Sequence, residues 1–379
     1  MKTLRALGRR LVPIGVRCGA RRLRARLRAR AALTRLWHWE LVSLTGAPRP
    51  YRVVYLGLDE QRSSTSALLN LDRAEAQTTP PKLTARTALV SAAPIPKALR
   101  VPLQVHMVVP LDGPLEQVAE RFDTQLRKRL KSQRPRYTSV RVTSPSEVDL
   151  LTDTMLRPYA RDRHGADAQP LPRGLVRKLA LKAGRLELLC RDGAPVGCRV
   201  GYPHTMNDGT TAWVLWRLGY PREVFEDNKQ LGDINAMNVY VDLERVIADG
   251  YDHYDMGACI ASPDNGLLQW KRRRGGTPSA YHSDEWVSVM LPRQGAAQLL
   301  WDAPLLAAED GHLALWLGLP AGRSDEELLE RCRSYRFDGL VRVHVCSERE
   351  VSALLREGLA RLYDGFGDRP ELAPLKVAA

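Results

Sequence analysis

Three strand-like segments in the middle of the chain constrain its fold more than any other feature. Each is rich in the residues that favour strands, and they lie at about 186–191, 195–202 and 211–218. The first two are separated by the tripeptide Arg-Asp-Gly at 191–193, which is typical of a tight hairpin turn. The pattern therefore predicts an antiparallel meander around which the rest of the sheet must form.

The elements on either side of this meander complete a mixed α/β order. Before it, the sequence predicts a strand at 137–142 and helices starting near 146 and 171. After it come a helix at 233–249, a strand at 251–257, a helix at 267–274 and a strand at 285–291. A mixed, mostly antiparallel twisted sheet flanked by helices is the natural packing of such an order.

Charge is distributed very unevenly along the 379 residues, which carry a net charge of +14. The first 50 residues contain 13 Lys and Arg against the single acid Glu40, whereas the remaining 329 contain 44 basic and 42 acidic residues. A nearly neutral body lacks the broad positive surface of a dedicated nucleic-acid-binding fold. The excess charge belongs to an N-terminal arm.

The arm is predicted to be helical in part, with Leu23, Leu27 and Leu33 near one face among arginines. One interpretation is a solvated basic helix or an incorrectly assigned start of the reading frame. The functional alternatives are an interfacial helix on anionic lipid and an arm that contacts RNA phosphates. Tryptophans at its end favour lipid.

Cysteine, histidine and hydropathy patterns exclude several classes of protein. None of the six cysteines forms a Cys-x-x-Cys pair, and the eight histidines show no metal-ligand spacing. We therefore expect reduced thiols and no metal. No apolar run approaches the ~18 residues that span a bilayer, and the N-terminus does not fit a secretory signal. A cytoplasmic location is expected, with peripheral contact to an inner membrane if the arm binds lipid.

Two motifs carry a resemblance to a known family. Residues 249–257, DGYDHYDMG, resemble the "G-Y-x-x-Y-D-x-G" segment of the FemAB-like and BioF2-like branch of GNAT acyltransferases. Residues 266–276, GLLQWKRRRGG, are similar to its "G-L-x-x-[FW]-K-x-x-[FW]-G" element. Segments 184–189 and 192–197 also resemble the family's second and third strands. The resemblance covers about residues 100–292.

Members of this branch commonly contain two GNAT-like units, of which the first is often degenerate. The resemblance therefore implies a degenerate unit at 51–145 and a complete acyltransferase unit at 146–292. A basic arm at 1–50 and a C-terminal extension at 293–379 complete the predicted organisation. No function is assigned to the extension.

The resemblance also implies a chemistry, the transfer of an acyl group from a thioester or an aminoacyl-tRNA ester onto an amine. A lysine that follows an aromatic residue is credited in this family with stabilising the charged carbonyl oxygen, and Lys271 after Trp270 matches it. Asp255 is the candidate for orienting the site or acting as a base. The structural alternatives are a surface lysine in a solvated basic run and a strand-end aspartate that caps the next segment.

Further candidates surround these two residues, and we predict that they bind substrate. Arginines could hold a phosphate, aromatic residues could line the site, and glycines could allow close approach of the backbone. The predicted substrate-binding set is Trp270, Arg272, Arg273, Arg274, Gly257, Gly275 and Tyr254. For Trp270 the alternative is a core position, and for the glycines it is a turn.

The nature of the donor is the least constrained prediction. Coenzyme A-dependent GNAT enzymes usually carry a glycine-rich phosphate loop before the helix at 233–249, but here the segment 225–235 has one glycine and three acids. Acyl-CoA, for example acetyl-CoA, stays the expected donor, and the acceptor is the amine of a small molecule, sugar or cell-envelope precursor. The alternatives are an aminoacyl-tRNA-dependent transferase, whose arm would contact tRNA, and a non-catalytic scaffold held at the membrane by the arm.

Overall fold

The computed structural model describes residues 39–45, 49–71, 73–75, 83–165, 168, 170–206, 208–280, 283–363 and 371–375. These residues form two compact units. The first comprises the described parts of 1–106, 258–269 and 278–379, and the second comprises 107–257 and 270–277. The arm predicted before residue 39 lies outside the described residues, whereas Trp39–Thr45 at its end is a strand.

The strands, in chain order, are β1 (Trp39–Thr45), β2 (Arg52–Leu58), β3 (Arg73–Glu75), β4 (Thr87–Ser91), β5 (Leu99–Pro102), β6 (Gln104–Pro110), β7 (Tyr137–Val142), β8 (Arg185–Arg191), β9 (Ala194–Thr205), β10 (Thr211–Gly219), β11 (His253–Ile260), β12 (Thr277–Ser279), β13 (Trp286–Met290), β14 (Leu305–Glu309), β15 (His312–Leu319), β16 (Leu340–Ser347) and β17 (Glu371–Leu375). They form three sheets, ordered β3-β1-β2-β4-β13-β5, β12-β6-β11-β10-β9-β8-β7 and β14-β15-β16-β17.

The α-helices of the described residues are α1 (Asp59–Leu68), α2 (Leu115–Val118), α3 (Thr124–Gln133), α4 (Pro145–Leu151), α5 (Arg157–His164), α6 (Arg173–Lys178), α7 (Arg222–Phe225), α8 (Asn228–Ala248), α9 (Gly266–Arg272), α10 (Ala296–Asp302), α11 (Asp325–Ser334) and α12 (Ala353–Leu362). The sequence pattern at 114–132 is that of a single helix, but the helix is broken between α2 and α3. The Asp123 side chain accepts hydrogen bonds from Gln125 N and Leu126 N and so starts a new helix.

The predicted mixed, mostly antiparallel α/β architecture is confirmed. Strands β7 to β10 form the expected antiparallel meander, and β10 pairs with β11 in parallel. The turn between β8 and β9 has positive φ angles at Asp192 and Gly193, 51° and 83°, as the short hairpin turn requires. The order of elements from β7 to α9 agrees with the one predicted from the sequence.

One predicted member of this sheet pairs elsewhere. The strand predicted at 285–291 is present as β13, but it lies between β4 and β5 in the six-stranded sheet. Its alternate residues Val287 and Val289 face Val101 and Val90, and all four valines are at most 1% exposed. This apolar match fixes the register of β13 in that sheet.

The two faces of the meander carry different side chains. Val200 and Cys198 of β9 face the apolar layer formed by α4, α6 and the π-helical turns that follow them. Arg199, which lies between them on the strand, points to the opposite face and contacts Asn238 of α8. At Cys198 and Val200, β9 therefore packs against an apolar layer on one face, whereas Arg199 places a charge on the face towards α8.

The predicted domain boundaries do not coincide with the limits of the compact units. Strands β6 and β7 belong to the same sheet as β8 to β11, although a boundary was predicted at 145/146. The division into segments 1–50, 51–145, 146–292 and 293–379 stays a prediction about domain organisation.

A close backbone contact in the C-terminal part of the first unit gives a testable prediction. A Cβ atom added to Gly318 of β15 would lie 1.8 Å from the backbone oxygen of Ala297 in α10. We expect Gly318→Ala to lower the free energy of unfolding by about 1–3 kcal/mol, because the helix must move away from the strand. Gly322→Ala is the control, since a Cβ there meets nothing within 4 Å. Equal midpoints of chemical denaturation for the two variants would contradict this prediction.

Candidate active site

The candidate site begins where β10 and β11 stop pairing. Their parallel register covers only three residue pairs, of which the last is Val214 with Asp255. On β10 a bulge between Leu215 and Arg217 shifts the register with β9. On β11, Gly257 has a φ of +79°, which a residue with a side chain rarely adopts. Both irregularities lie just beyond the last pair of β10 and β11, whereas β9 and β10 pair again from Arg217 to Gly219.

Register alone places several polar side chains on one face at this point. Tyr202 of β9 pairs with Val214, and Val214 pairs with Asp255, so the three side chains share a face. Arg217 pairs with Val200, two residues from Tyr202, and therefore points to the same side. The structure thus places a phenol, a guanidinium group and a carboxylate beside the break in the sheet.

Lys271 completes this group from α9. The Asn265 side chain caps the helix by accepting hydrogen bonds from Leu267 N and Leu268 N. Lys271 follows the fully buried Leu268 by one helical turn and is itself only 4% exposed. The interpretation of Lys271 as a solvated surface lysine is therefore wrong. Lys271 is buried because it lies one helical turn after Leu268, on the side of α9 that packs into the interior.

A single residue links the lysine to the aspartate. The Lys271 Nζ donates a hydrogen bond of 2.7 Å to the carbonyl oxygen of Gly257. The N–H of Gly257 donates a hydrogen bond of 2.7 Å to Asp255 Oδ1, and Asp255 is 1% exposed. The structure therefore brings Lys271, Gly257 and Asp255 together, and the catalytic roles of Lys271 and Asp255 stay predictions.

Two residues of this site were missed by sequence reasoning. Burial raises the pKa of Tyr202, Asp255 raises it further, and Arg217 partly offsets both effects. Burial lowers the pKa of Arg217, and Tyr202 offsets part of that change. Both residues lie in ordinary strand patterns, so only the pairing across three strands reveals them.

The basic run after Trp270 does not form one solvated face. Arg273 is exposed, Arg272 is half-buried, and Arg274 is 5% exposed. The Arg274 guanidinium lies 3.6 Å from the centre of the Trp270 ring, and its Nη1 donates a hydrogen bond of 2.7 Å to the Trp270 carbonyl oxygen. Trp270 therefore serves as a platform for Arg274.

Two predicted site residues have other roles in the structure. Tyr254 points to the opposite face of β11 from Asp255, is fully buried, and donates a hydrogen bond of 2.8 Å to Asp242 Oδ2 of α8. Gly275 has a φ of +74°, and a Cβ there would lie 3.0 Å from Arg121 Cβ. The structure does not bring Tyr254 to Lys271, and Gly275 serves a tight turn of the backbone.

A buried ionic network lies on the face of the sheet that packs against α8. Arg199 is 2% exposed, pairs with Glu187, and has its Nε 3.0 Å from Asp242 Oδ1. Arg185 forms an ion pair with Asp249, and its Nε is 3.3 Å from Glu187 Oε1. Burial lowers the pKa of Arg199, but Asp242 and Glu187 outweigh it and the pKa is raised. The network fixes α8 to the sheet behind the candidate site.

The start of α8 is already occupied by a side chain of its own chain. Asp227 Oδ1 accepts hydrogen bonds of 2.9 Å from Lys229 N and 3.0 Å from Gln230 N. These are the N–H groups that a phosphate would otherwise use at a helix start. The carboxylate also places negative charge there, so this connection is a poor site for a diphosphate.

The described part of the chain contains neither a candidate metal site nor a candidate membrane span. Among these residues, no group of three or more His, Cys, Asp or Glu side chains could hold a metal ion. None of the helices described is both long and apolar enough to cross a membrane.

Comparison with known proteins gave matches only among solved structures. No protein-family model and no curated protein matches the chain. FemX matches with a TM-score of 0.39 and 12% identity, over 72% of this chain and 93% of that one. The C-terminal domain of a lysylphosphatidylglycerol synthetase from Agrobacterium fabrum has a TM-score of 0.32 and 11% identity, over 72% and 90%. A GCN5-related N-acetyltransferase from Anabaena variabilis has a TM-score of 0.29 and 10% identity, over 76% and 72%. Scores this low assign neither a family nor an activity to the chain.

Proposed function

We propose that the chain is an acyltransferase that moves an acyl group from acyl-CoA onto the amine of a small molecule, sugar or cell-envelope precursor. The observation that supports this is the buried Lys271 ammonium group, which is fixed to Gly257 next to Asp255 where β10 and β11 separate. A fixed cation in a site of low exposure is suited to a reaction in which negative charge develops on a carbonyl oxygen.

In this reaction Lys271 and Asp255 have separate roles. The amine nitrogen attacks the thioester carbonyl carbon, and the C=O electrons move onto oxygen, where Lys271 stabilises them. The new C–N bond persists, the C–S bond breaks as the carbonyl re-forms, and the thiolate leaves. Asp255 accepts the proton that the attacking amine must lose, and this proton is finally delivered to the thiolate or to water. Acyl-CoA supplies the activated acyl group, and the protein orients and stabilises it.

An aminoacyl-tRNA ester is the second candidate for the donor. It is favoured by the start of α8, where Asp227 already occupies the N–H groups that would hold the diphosphate of coenzyme A. The same attack by an amine would then release a ribose hydroxyl in place of a thiol. We propose in addition that the N-terminal arm contacts tRNA or an anionic membrane.

A donor panel tests the proposed function. The full chain is incubated with a mixture of primary amines and with acetyl-CoA, a longer acyl-CoA or an aminoacyl-tRNA in turn. Mass spectrometry then measures the acylated amine. We expect acylated product with one class of donor. Hydrolysis or no reaction with all three classes would exclude acyl transfer to amines.

Asp255→Asn tests the carboxylate separately. The amide keeps an oxygen that can accept from Gly257 N but cannot take a proton at neutral pH. We expect kcat to fall by about a hundredfold or more, the usual contribution of a positioned base. The pKa of Tyr202 should fall as well, because Asp255 raises it in the wild type. A phenol titration against Tyr202→Phe measures that shift, and a kcat within about twofold of wild type would rule out the base.

A further inference from the structure

Arg274 is a buried cation that has no counter-charge among the described residues. It is 5% exposed, and none of these residues accepts a hydrogen bond from its Nε. Within the described part of the chain it forms no ion pair, and Tyr220, Arg129 and Arg273 are the ionisable groups that act on it. Burial lowers the pKa of Arg274 to about 9, and Arg129 and Arg273 contribute to this.

A comparison with Arg199 shows how unusual this is in the same unit. The two arginines are buried to a similar degree, 2% and 5% exposed, but Arg199 contacts both Glu187 and Asp242. Burying an unpaired charge is costly, and stacking on Trp270 recovers only part of that cost. Arg274 therefore lacks a negatively charged partner, and a bound anion would supply one.

The surroundings also favour an anion here over the start of α8. Arg272 is half-buried and Arg273 is exposed in the same run, so the local field is positive. Burial and Arg273 lower the pKa of Arg272, and the Asp123 carboxylate partly offsets both effects. The N–H groups at the start of α8 are occupied by Asp227. A phosphate would find the unsatisfied Nε of Arg274 and positive charge at the arginines, whereas Asp227 occupies the N–H groups of the helix.

We propose that Arg274, with Arg272 and Arg273 beside it, binds a phosphate group of the substrate whose acyl transfer takes place at Lys271. The planar guanidinium group offers two parallel N–H donors to phosphate oxygens, which an ammonium group cannot do. The inference rests on the proposed function. The diphosphate of a coenzyme A donor and a phosphate on the acceptor share this chemistry.

Thermal unfolding with sodium pyrophosphate tests the site directly. Sodium chloride at matched ionic strength is the reference for the full chain and for Arg274→Met, which keeps the length of the side chain and removes its charge. At about 100 times Kd we expect the wild-type midpoint to rise by about 5 °C or more. Arg274→Met should lose this rise, and its midpoint without ligand should equal or exceed that of the wild type, because a buried unpaired charge is gone.

Three further variants make the result decisive. Arg274→Lys should keep a reduced pyrophosphate response, and the exposed control Arg222→Met should keep the full response. Arg199→Met should lower the midpoint without ligand, in contrast to Arg274→Met. A full pyrophosphate response in Arg274→Met would overturn the proposal. So would no response in the wild type, or an Arg274→Met protein that unfolds many degrees lower or does not fold.

Three ligands, coenzyme A, pantetheine and glycerol 3-phosphate, distinguish a phosphate of the donor from one of the acceptor. A shift with coenzyme A that is absent with pantetheine and lost in Arg274→Met assigns the site to the donor. A shift with glycerol 3-phosphate that is lost in Arg274→Met, while the coenzyme A response is kept, assigns it to the acceptor. None of these measurements uses activity. Failure of acyl transfer in the donor panel therefore leaves the anion result standing, and loss of the anion result leaves the donor panel unaffected.

Discussion

Lys271→Met is expected to lower kcat by about a hundredfold or more, with a smaller change in KM. The variant keeps an unbranched side chain in a position that is 4% exposed, so the packing around α9 is retained. It removes the ammonium group that lies 2.7 Å from the Gly257 oxygen and that would stabilise the carbonyl oxygen only as charge develops. The measurement is steady-state kinetics with the donor found in the panel.

Lys182→Met is the matched control for this prediction. Lys182 is exposed in the π-helical turn after α6, so the same chemical change there should leave kcat unchanged. Circular dichroism of both variants shows whether the fold is intact. A folded Lys271→Met protein with wild-type kcat would remove Lys271 from the mechanism.

Arg199→Met should lower the free energy of unfolding by about 3–5 kcal/mol, because it leaves Arg185 alone to neutralise the buried carboxylates of Glu187 and Asp242. Both carboxylates are at most 3% exposed, so water cannot replace the lost charge. The variant also removes hydrogen bonds of 2.9 Å to Asn238 and 2.7 Å to Ser139. Urea denaturation followed by circular dichroism measures the change.

Arg222→Met is the control for this second prediction. Arg222 pairs with Glu226 one turn away on the surface, and exposed pairs of this kind contribute little to stability. Its denaturation midpoint should match that of the wild type. If Arg199→Met had the same midpoint as Arg222→Met, the network would not contribute to folding of the sheet and α8.

The meander and the motif at Lys271 could be predicted because they depend on local signals. The Asp192-Gly193 turn defines a hairpin in two residues, and the spacing of Leu268 and Lys271 places both on one side of a helix. Local patterns could not predict that β13 pairs in the six-stranded sheet and not with the meander. Alternating valines fit any apolar sheet face, and only the register with β4 and β5 selects one.

The same distinction applies to the site. Asp255 and Lys271 were found through a motif, whereas Tyr202 and Arg217 are joined to them only by pairing across three strands and a bulge. A solvated face was the structural alternative for the four consecutive basic residues, yet the turn after Arg272 places Arg274 on the Trp270 ring in the interior. Burial within a charge run depends on where the helix ends, which sequence predicts poorly.

The two faces of the meander have a practical consequence for redesigning the protein. The charged contacts that fix α8 lie on one side of β9 and β11, and the residues beside the break in the sheet lie on the other. Because neighbouring residues of a strand alternate between faces, a library confined to Tyr202, Val214 and Arg217 changes no member of that network. Such a library varies the side chains beside the break in the sheet and leaves the ion pairs that hold α8 unchanged.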